Sequence, residues 1–250
     1  MPPWRCRPRP SSRAVDIAQT ALVVARVAAV TLVSALRAIV LAARAPGSAG
    51  LHAVARAWGR SVLRVSRVRI SVSGGENIAP GRPYIFMANH QGNYDIPVLL
   101  GYLPAEFRWL AKTELFRIPL FGRAMTAIGC IAIDRADRES AFGSLRRAAG
   151  VLGCGVPIMI FPEGTRSPDG RLLPFKKGGF VLALTSGMPI VPLGIRGSRA
   201  IMPKGSRIIR GGEVALVIGH PILTSGMGPE DRDDLMRRVR DALMQASAQS

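Results

Sequence analysis

Apolar positions along the chain follow two different rhythms. Residues 17–43 form a 27-residue apolar run in which Arg26 and Arg37 are the only charges. As a helix this run would be about 40 Å long, enough for a bilayer core of about 30 Å. At 100° per residue, Gln19, Arg26, Arg37 and Arg44 share one narrow stripe. Residues 51–68 repeat the theme: His52, Arg56, Arg60, Arg64 and Arg67 form a basic face, with Val54, Trp58, Val62 and Val65 opposite. Pro46-Gly47-Ser48-Ala49-Gly50 between them reads as a turn. The pattern predicts an amphipathic helical hairpin over 15–67, preceded by a disordered basic tail over 1–14.

From residue 68 the rhythm changes to short β-type runs alternating with helical stretches. Strands are expected over 68–73, 84–88, 107–111, 130–134, 156–161, 190–195 and 214–218. Helices are expected over 95–103, 114–128 despite Pro119, 138–152, 179–185 and 229–246. Such alternation implies an α/β fold with a mixed, largely parallel sheet flanked by helices, over 68–250. In such sheets, sites gather on the loops that follow the strand C-termini.

Charge changes the picture of the N-terminal part. The chain of 250 residues carries 34 Lys plus Arg against 16 Asp plus Glu, a net charge of +18. Residues 1–69 hold 12 Arg and one acid, Asp16, so most of the excess lies on the apolar helices. That placement points to an anionic membrane surface rather than to nucleic acid, whose recognition motifs are missing and whose aromatic stacking would be thin at 6% Phe, Trp and Tyr. For residues 17–43 the insertion energy is near balance. Twelve Val, Ile and Leu residues contribute about 4–7 kcal/mol, and each arginine opposes by up to about 2.5–3.5 kcal/mol. An interfacial anchor at the cytoplasmic face of the cell membrane is the expectation. A spanning helix, a cleaved signal peptide and an ordinary helical hairpin packed on the core stay open. The three cysteines, Cys6, Cys130 and Cys154, are too few and too scattered for a disulfide scaffold or a CxxC-type zinc site.

Two clusters carry candidate chemistry. His90 sits in Asn89-His90-Gln91-Gly92-Asn93-Tyr94-Asp95, directly after an apolar strand. In a continuous helix His90 and Asp95 would lie about 140° apart. A loop leading into a helix start can instead bring the carboxylate onto the imidazole. Asp95 would then fix the tautomer and support the imidazolium while the other ring nitrogen takes a proton from a hydroxyl. Taken alone, a His and an Asp five residues apart equally mark a hydrogen-bonded surface turn. The second cluster, Phe161-Pro162-Glu163-Gly164-Thr165-Arg166-Ser167, also follows a strand. Arg166 offers a planar fork suited to phosphate, and the same loop read alone is a structural turn with an exposed Arg. Lys176-Lys177-Gly178-Gly179 opens a helix, a second place for an anion. His52 reads as solvated or at the lipid surface, and His220 as a turn residue.

Together the clusters resemble the lysophosphatidic acid acyltransferase family of glycerophosphate acyltransferases. The family pattern of Asn-His, four residues, then Asp is met by Asn89, His90 and Asp95. Lys112 through Gly122 is similar to the stretch between the first two blocks. Gly129-Cys130-Ile131-Ala132-Ile133-Asp134-Arg135 matches the second block. Residues 161–170 match the third, continuing to Phe175-Lys176-Lys177-Gly178, and Ile190-Val191-Pro192-Leu193-Gly194-Ile195 matches the fourth. One departure stands out: Gly92 occupies a position where the family often has Ser.

The resemblance implies an acyltransferase that moves a fatty acyl group from a thioester to the hydroxyl of 1-acylglycerol 3-phosphate, giving phosphatidate. His90 would be the base, with Asp95 orienting it. Arg135, Glu163, Gly164, Thr165 and Arg166 would hold the acceptor phosphate. Acyl-CoA or acyl-carrier protein would deliver the acyl group, with no metal or other cofactor. Acyl chains would enter from the membrane along an apolar groove near the hairpin, and known bacterial members include one with a two-helix N-terminal anchor. Glycerol 3-phosphate, another lysophospholipid and a lyso-ornithine lipid remain alternative acceptors. A catalytically silent lipid-binding protein and a nucleic-acid binder are the alternatives outside the enzyme class.

Overall fold

The computed structural model describes residues 13–47, 49–134 and 137–248. Up to residue 12 the expected basic tail lies outside the described residues. Seven strands form one sheet among them: β1 (Val68–Ser73), β2 (Ile85–Ala88), β3 (Arg108–Lys112), β4 (Ile131–Ile133), β5 (Ile158–Ile160), β6 (Ile190–Arg196) and β7 (Gly212–Ile218). Their spatial order is β1-β7-β6-β2-β5-β3-β4. Every neighbouring pair is parallel except β6 and β7, so the sheet is mixed and mostly parallel.

The central strands are continuous apolar runs because both faces are covered. Ile85, Phe86, Met87 and Ala88 of β2 are all fully buried. Phe86 and Ala88 pack on one side with α3 (Asp95–Tyr102) and α2 (Ala49–Val65). Ile85 and Met87 pack on the other with α6 (Arg138–Gly153), α7 (Gly178–Ser186) and α9 (Arg232–Ser247). Alternation along the strand thus builds two cores on either side of one sheet. Local signals set the helix ends. The Asp137 carboxylate caps α6 by accepting from Glu139 N–H, and Asp233 and Asp234 sit in the first turn of α9.

Two sequence expectations need correction. The helix expected over 114–128 is two pieces, α4 (Thr113–Phe116) and α5 (Phe121–Ala127). Pro119 has no N–H to continue the ladder, and Leu120 turns the chain with φ of 60°. A short helix, α8 (Ser198–Ile201), was not expected at all.

The second correction concerns the basic face of α2. It does not face water or lipid as a whole. Gly59 lies so close to α3 that a Cβ there would meet Pro97 O at 2.7 Å and Gly101 N at 2.8 Å. With the helices in contact, the α2 cations reach the carbonyls at the C-terminal end of α3. Arg56 Nη2 donates to Leu103 O (3.1 Å), and Arg60 Nε donates to Gly101 O (2.9 Å). Cations at a helix C-terminus satisfy carbonyls that have no partner within the helix. His52 is buried edge-on against Phe107, and burial pushes its imidazole down to about 4, so it is neutral. The expected boundary at 67/68 therefore cuts through a packed α2–α3 contact.

The first helix, α1 (Arg13–Arg44), lies outside this body and packs on α2 and α5. Trp58 of α2 donates its indole N–H to Thr31 Oγ1 at 3.0 Å. Thr20, Ala35 and Ala38 are buried. Leu22, Leu32, Val33, Leu36 and Val40 are exposed on the far side, and Arg26, Arg37 and Arg44 are exposed as well. Over residues 19–44 this helix is long and apolar enough, by length and composition, to cross a membrane.

Candidate active site

Parallel pairing places the two candidate clusters together. β2 and β5 are parallel neighbours, so their C-terminal loops leave from the same edge of the sheet. The β2 loop carries His90 and the β5 loop carries residues 161–167.

Four interactions lock these loops. His90 N–H donates to Glu163 Oε1 (2.7 Å), and His90 O accepts from Ser167 N–H (2.8 Å). Gln91 Nε2 donates to Gly170 O (2.9 Å), and Arg166 donates to Asn93 Oδ1. Asn89 secures the root of the β2 loop. Its amide bonds both the N–H (2.7 Å) and the C=O (2.9 Å) of Ile195 on β6, extending the sheet by one side chain.

The His90 ring is held on two sides. It stacks on Phe161 with centroids 3.8 Å apart and planes 8° from parallel. Its Nδ1 lies 2.7 Å from Asp95 Oδ2, and the Asp95 side chain is fully buried at the first residue of α3. The same oxygen accepts from Gln91 N–H (2.7 Å) and Gly92 N–H (3.0 Å). It is therefore the acceptor, Nδ1 carries the proton, and the lone pair is on Nε2. A continuous helix over residues 89–95 would not bring this pair together; the loop over 89–94 does.

His90 lies on the wall of a cavity of about 380 Å³, a size usual for small-molecule sites. Asn93, Gly164, Thr165 and Arg166 line it beside His90. Elsewhere its wall is mostly apolar and includes Ala35 and Ala38 of α1, Trp58 of α2 and Phe121 of α5, with Thr31, Ser34 and Lys112 as the polar exceptions. The cavity thus runs from a polar end at His90 to the small residues of the N-terminal helix.

The residues expected at the phosphate do not all meet there. Thr165 and Arg166 do line the cavity, as does Gly164, whose N–H closes a turn onto Phe161 O (3.0 Å). Glu163 is only 2% exposed, and both its oxygens are engaged by main-chain N–H groups, Oε1 by His90 and Oε2 by Leu173 (2.8 Å). Burial pushes its carboxyl upward, opposed by those two hydrogen bonds. Glu163 thus braces the His90 main chain instead of facing the cavity. Arg135 lies outside the described residues, just beyond β4. Asn89 and Asn93 were visible in the motif, but no signal in the sequence gave them their partners.

The sequence model of the family described as Acyltransferase matches residues 69–196, just over half of the chain. This chain belongs to the acyltransferase family.

Individual relatives sharpen the comparison. The chain is 38% identical over 176 residues to a chloroplastic 1-acyl-sn-glycerol-3-phosphate acyltransferase of Brassica napus, covering 70% of this chain and 51% of that protein. It is 33% identical over 178 residues to 1-acyl-sn-glycerol-3-phosphate acyltransferase alpha of Homo sapiens, covering 71% of this chain and 63% of that one. This chain thus spans about half the length of the plant relative and under two thirds of the human one. The crystal structure of the 1-acyl-sn-glycerophosphate acyltransferase PlsC from Thermotoga maritima matches with a TM-score of 0.78 and 27% identity, over 93% of this chain and 96% of that one. The match to that structure extends well beyond the span of the family model.

Proposed function

We propose that this protein transfers a fatty acyl group from an acyl thioester to the free hydroxyl of 1-acylglycerol 3-phosphate, giving phosphatidate. One observation carries the reading: a buried His90–Asp95 pair, 2.7 Å apart, at the polar end of an apolar cavity that Arg166 also lines. Three relatives' names and the fold support the choice of acceptor.

In this mechanism His90 Nε2 removes the proton from the acceptor hydroxyl as its oxygen attacks the thioester carbonyl. Asp95 holds the ring and supports the imidazolium. A C–O bond forms, the C–S bond breaks, and the leaving thiolate takes the proton back from His90. Thr165 and Arg166 bind the acceptor phosphate, with Arg135 as a further cation from the β4 loop. Gly164 has its N–H in a turn, so the oxyanion donors in this loop are the N–H groups of Thr165 and Arg166, which have no partner among the described residues. The thioester, from acyl-CoA or acyl-carrier protein, supplies the driving force without a further cofactor.

The lipid chain occupies the apolar cavity, whose far wall is α1. An acceptor that already carries an acyl chain suits such a site better than glycerol 3-phosphate. The outer apolar face of α1 docks on anionic lipid at the cytoplasmic face of the membrane, and Arg26, Arg37 and Arg44 meet the headgroups. This keeps the cavity continuous with the lipid phase.

A panel of acceptors with one acyl-CoA, following thiol release, tests the proposal. Lysophosphatidate is expected to give the highest kcat/KM, above glycerol 3-phosphate, other lysophospholipids and lyso-ornithine lipid. No turnover of lysophosphatidate would overturn it.

A further inference from the structure

β2 has a second parallel neighbour. β6 runs beside it on the side away from β5, and its C-terminal connection leaves from the same edge of the sheet. That connection, α8 and the turn after it, lies beyond residue 196, where the family match ends.

Gly92 is the seat of this third loop. Gly92 and Pro203 form an isolated antiparallel bridge, and Asn93 N–H donates to Met202 O at 3.1 Å. A Cβ on residue 92 would lie 2.6 Å from Ser198 O and 2.9 Å from Ser198 C. A side chain there would push the loop off the catalytic loop. The departure from the family's Ser therefore has a local physical cause in this chain.

Lys204 is the residue that this seating delivers. Its Nζ donates to Thr165 Oγ1 at 3.4 Å, and Thr165 is on the cavity wall next to Arg166. Asn93 ties the two cations together. Its side chain accepts from Arg166, and its main chain is bonded to Met202, two residues before Lys204. Among the described residues no carboxylate forms an ion pair with Lys204 or Arg166. The long contact to a neutral hydroxyl leaves the ammonium free to turn to a better acceptor.

Charge arithmetic indicates what that acceptor is. A phosphate monoester carries about −1.5 to −2 at pH 7 and calls for several cations around it, so a lysine beside Arg166 adds to what Arg135 and the wall residue Lys112 offer. Lysine supplies a compact point charge, and arginine a planar fork. The chain has 30 Arg and only four Lys, and all four lie at or beyond the C-terminal ends of strands at this edge: Lys112 as the last residue of β3, Lys176 and Lys177 after β5, and Lys204 after β6.

We propose that Lys204 is a further cation of the acceptor-phosphate site, carried there by the loop after β6 and held in place through Gly92 and Asn93. This rests on the reading of the acceptor as phosphate-bearing. Lys204 is exposed on a turn, so Lys204→Ala is expected to fold with an unchanged Tm. In Lys204→Ala, KM for lysophosphatidate should rise about tenfold or more, the loss of one charge-assisted hydrogen bond. KM for the acyl-CoA and kcat should stay within about twofold, and Lys204→Arg should recover most of the loss. If the wild-type protein turns over lysophosphatidate and Lys204→Ala leaves its KM unchanged, or raises both KM values equally, this proposal is wrong while the acceptor reading stands. If the wild-type protein does not turn over lysophosphatidate, the acceptor reading fails and takes this one with it.

Discussion

Glu163→Gln separates a brace beneath His90 from a phosphate contact. The carboxylate accepts from His90 N–H at 2.7 Å and Leu173 N–H at 2.8 Å. An amide has one oxygen, so in either orientation its NH₂ faces one of those donors. One charge-assisted hydrogen bond is lost, worth about 1.5–3 kcal/mol, and the other becomes a weaker neutral one. Relief from burying a charge offsets part of this. Because burial outweighs the two bonds and holds the carboxyl above its ordinary value, the net loss at pH 7 is at most about 1 kcal/mol, or about 2–4 °C in Tm for a chain of this size. Freed on one side, the His90 main chain loosens, and a displacement of about 1 Å at a reacting group can cost about a hundredfold in rate. In steady-state assays kcat should therefore fall about 10- to 100-fold, with KM for lysophosphatidate unchanged. The pH dependence has a definite sign. Burial raises the folded-state Glu163 carboxyl above its unfolded value. Its contribution to stability is thus full below the unfolded pKa and declines as pH rises through the folded one. The advantage of wild type over Glu163→Gln in urea unfolding should be larger at pH 4.5 than at pH 7.5. A variant with normal kcat and a raised acceptor KM would return Glu163 to the phosphate site and refute this reasoning.

Three further outcomes follow from the packing. Gly92→Ser, although it restores the residue often found in the family, should cost about 1–3 kcal/mol by overpacking against Ser198 and raise KM for lysophosphatidate; a wild-type Tm and KM would show that the loop after β6 is not seated on this residue. Ala38→Leu, on the cavity wall, should lower kcat/KM for 1-palmitoylglycerol 3-phosphate relative to 1-lauroylglycerol 3-phosphate by about tenfold, whereas an unchanged ratio would place the acceptor chain elsewhere. Replacing Leu32 and Leu36 together by Glu removes two exposed apolar side chains from α1, each worth about 1.5–3 kcal/mol if buried in lipid. Sedimentation with anionic vesicles should weaken about a hundredfold or more while Tm is retained, and undiminished binding would mean that another surface meets the membrane.

The sheet was legible in the sequence because its central strands carry their own evidence. β2, β5 and β6 are short apolar runs bounded by Gly, Pro and Asn, and their burial on both faces requires that composition. The dyad was legible because a loop before a helix start is a local feature. What stayed hidden depends on neighbours distant in sequence. A helical wheel gave α2 a basic face but could not reveal that the end of α3 lies beside it, so buried His52 reads as solvated or lipid-facing and the bonds of Arg56 and Arg60 to the α3 carbonyls go unseen. The same wheel carried a 3.6-residue rhythm across Pro119 without detecting the positive φ at Leu120. Glu163 looked like a loop acid, and one of its partners, His90, is 73 residues away. Asn93, Gly92 and Lys204 acquire meaning only when the loop after β6 comes down on the loop after β2.

The central claim is that His90 takes the acceptor proton. The most direct measurement is turnover of lysophosphatidate with acyl-CoA by His90→Ala, on protein shown to be folded by its thermal transition. His90 is a side chain on the cavity wall, and its main-chain bonds to Glu163 and Ser167 persist in the alanine variant. A fall in kcat of about 100- to 10,000-fold with an intact transition is the predicted result. Turnover within a few-fold of wild type would contradict it.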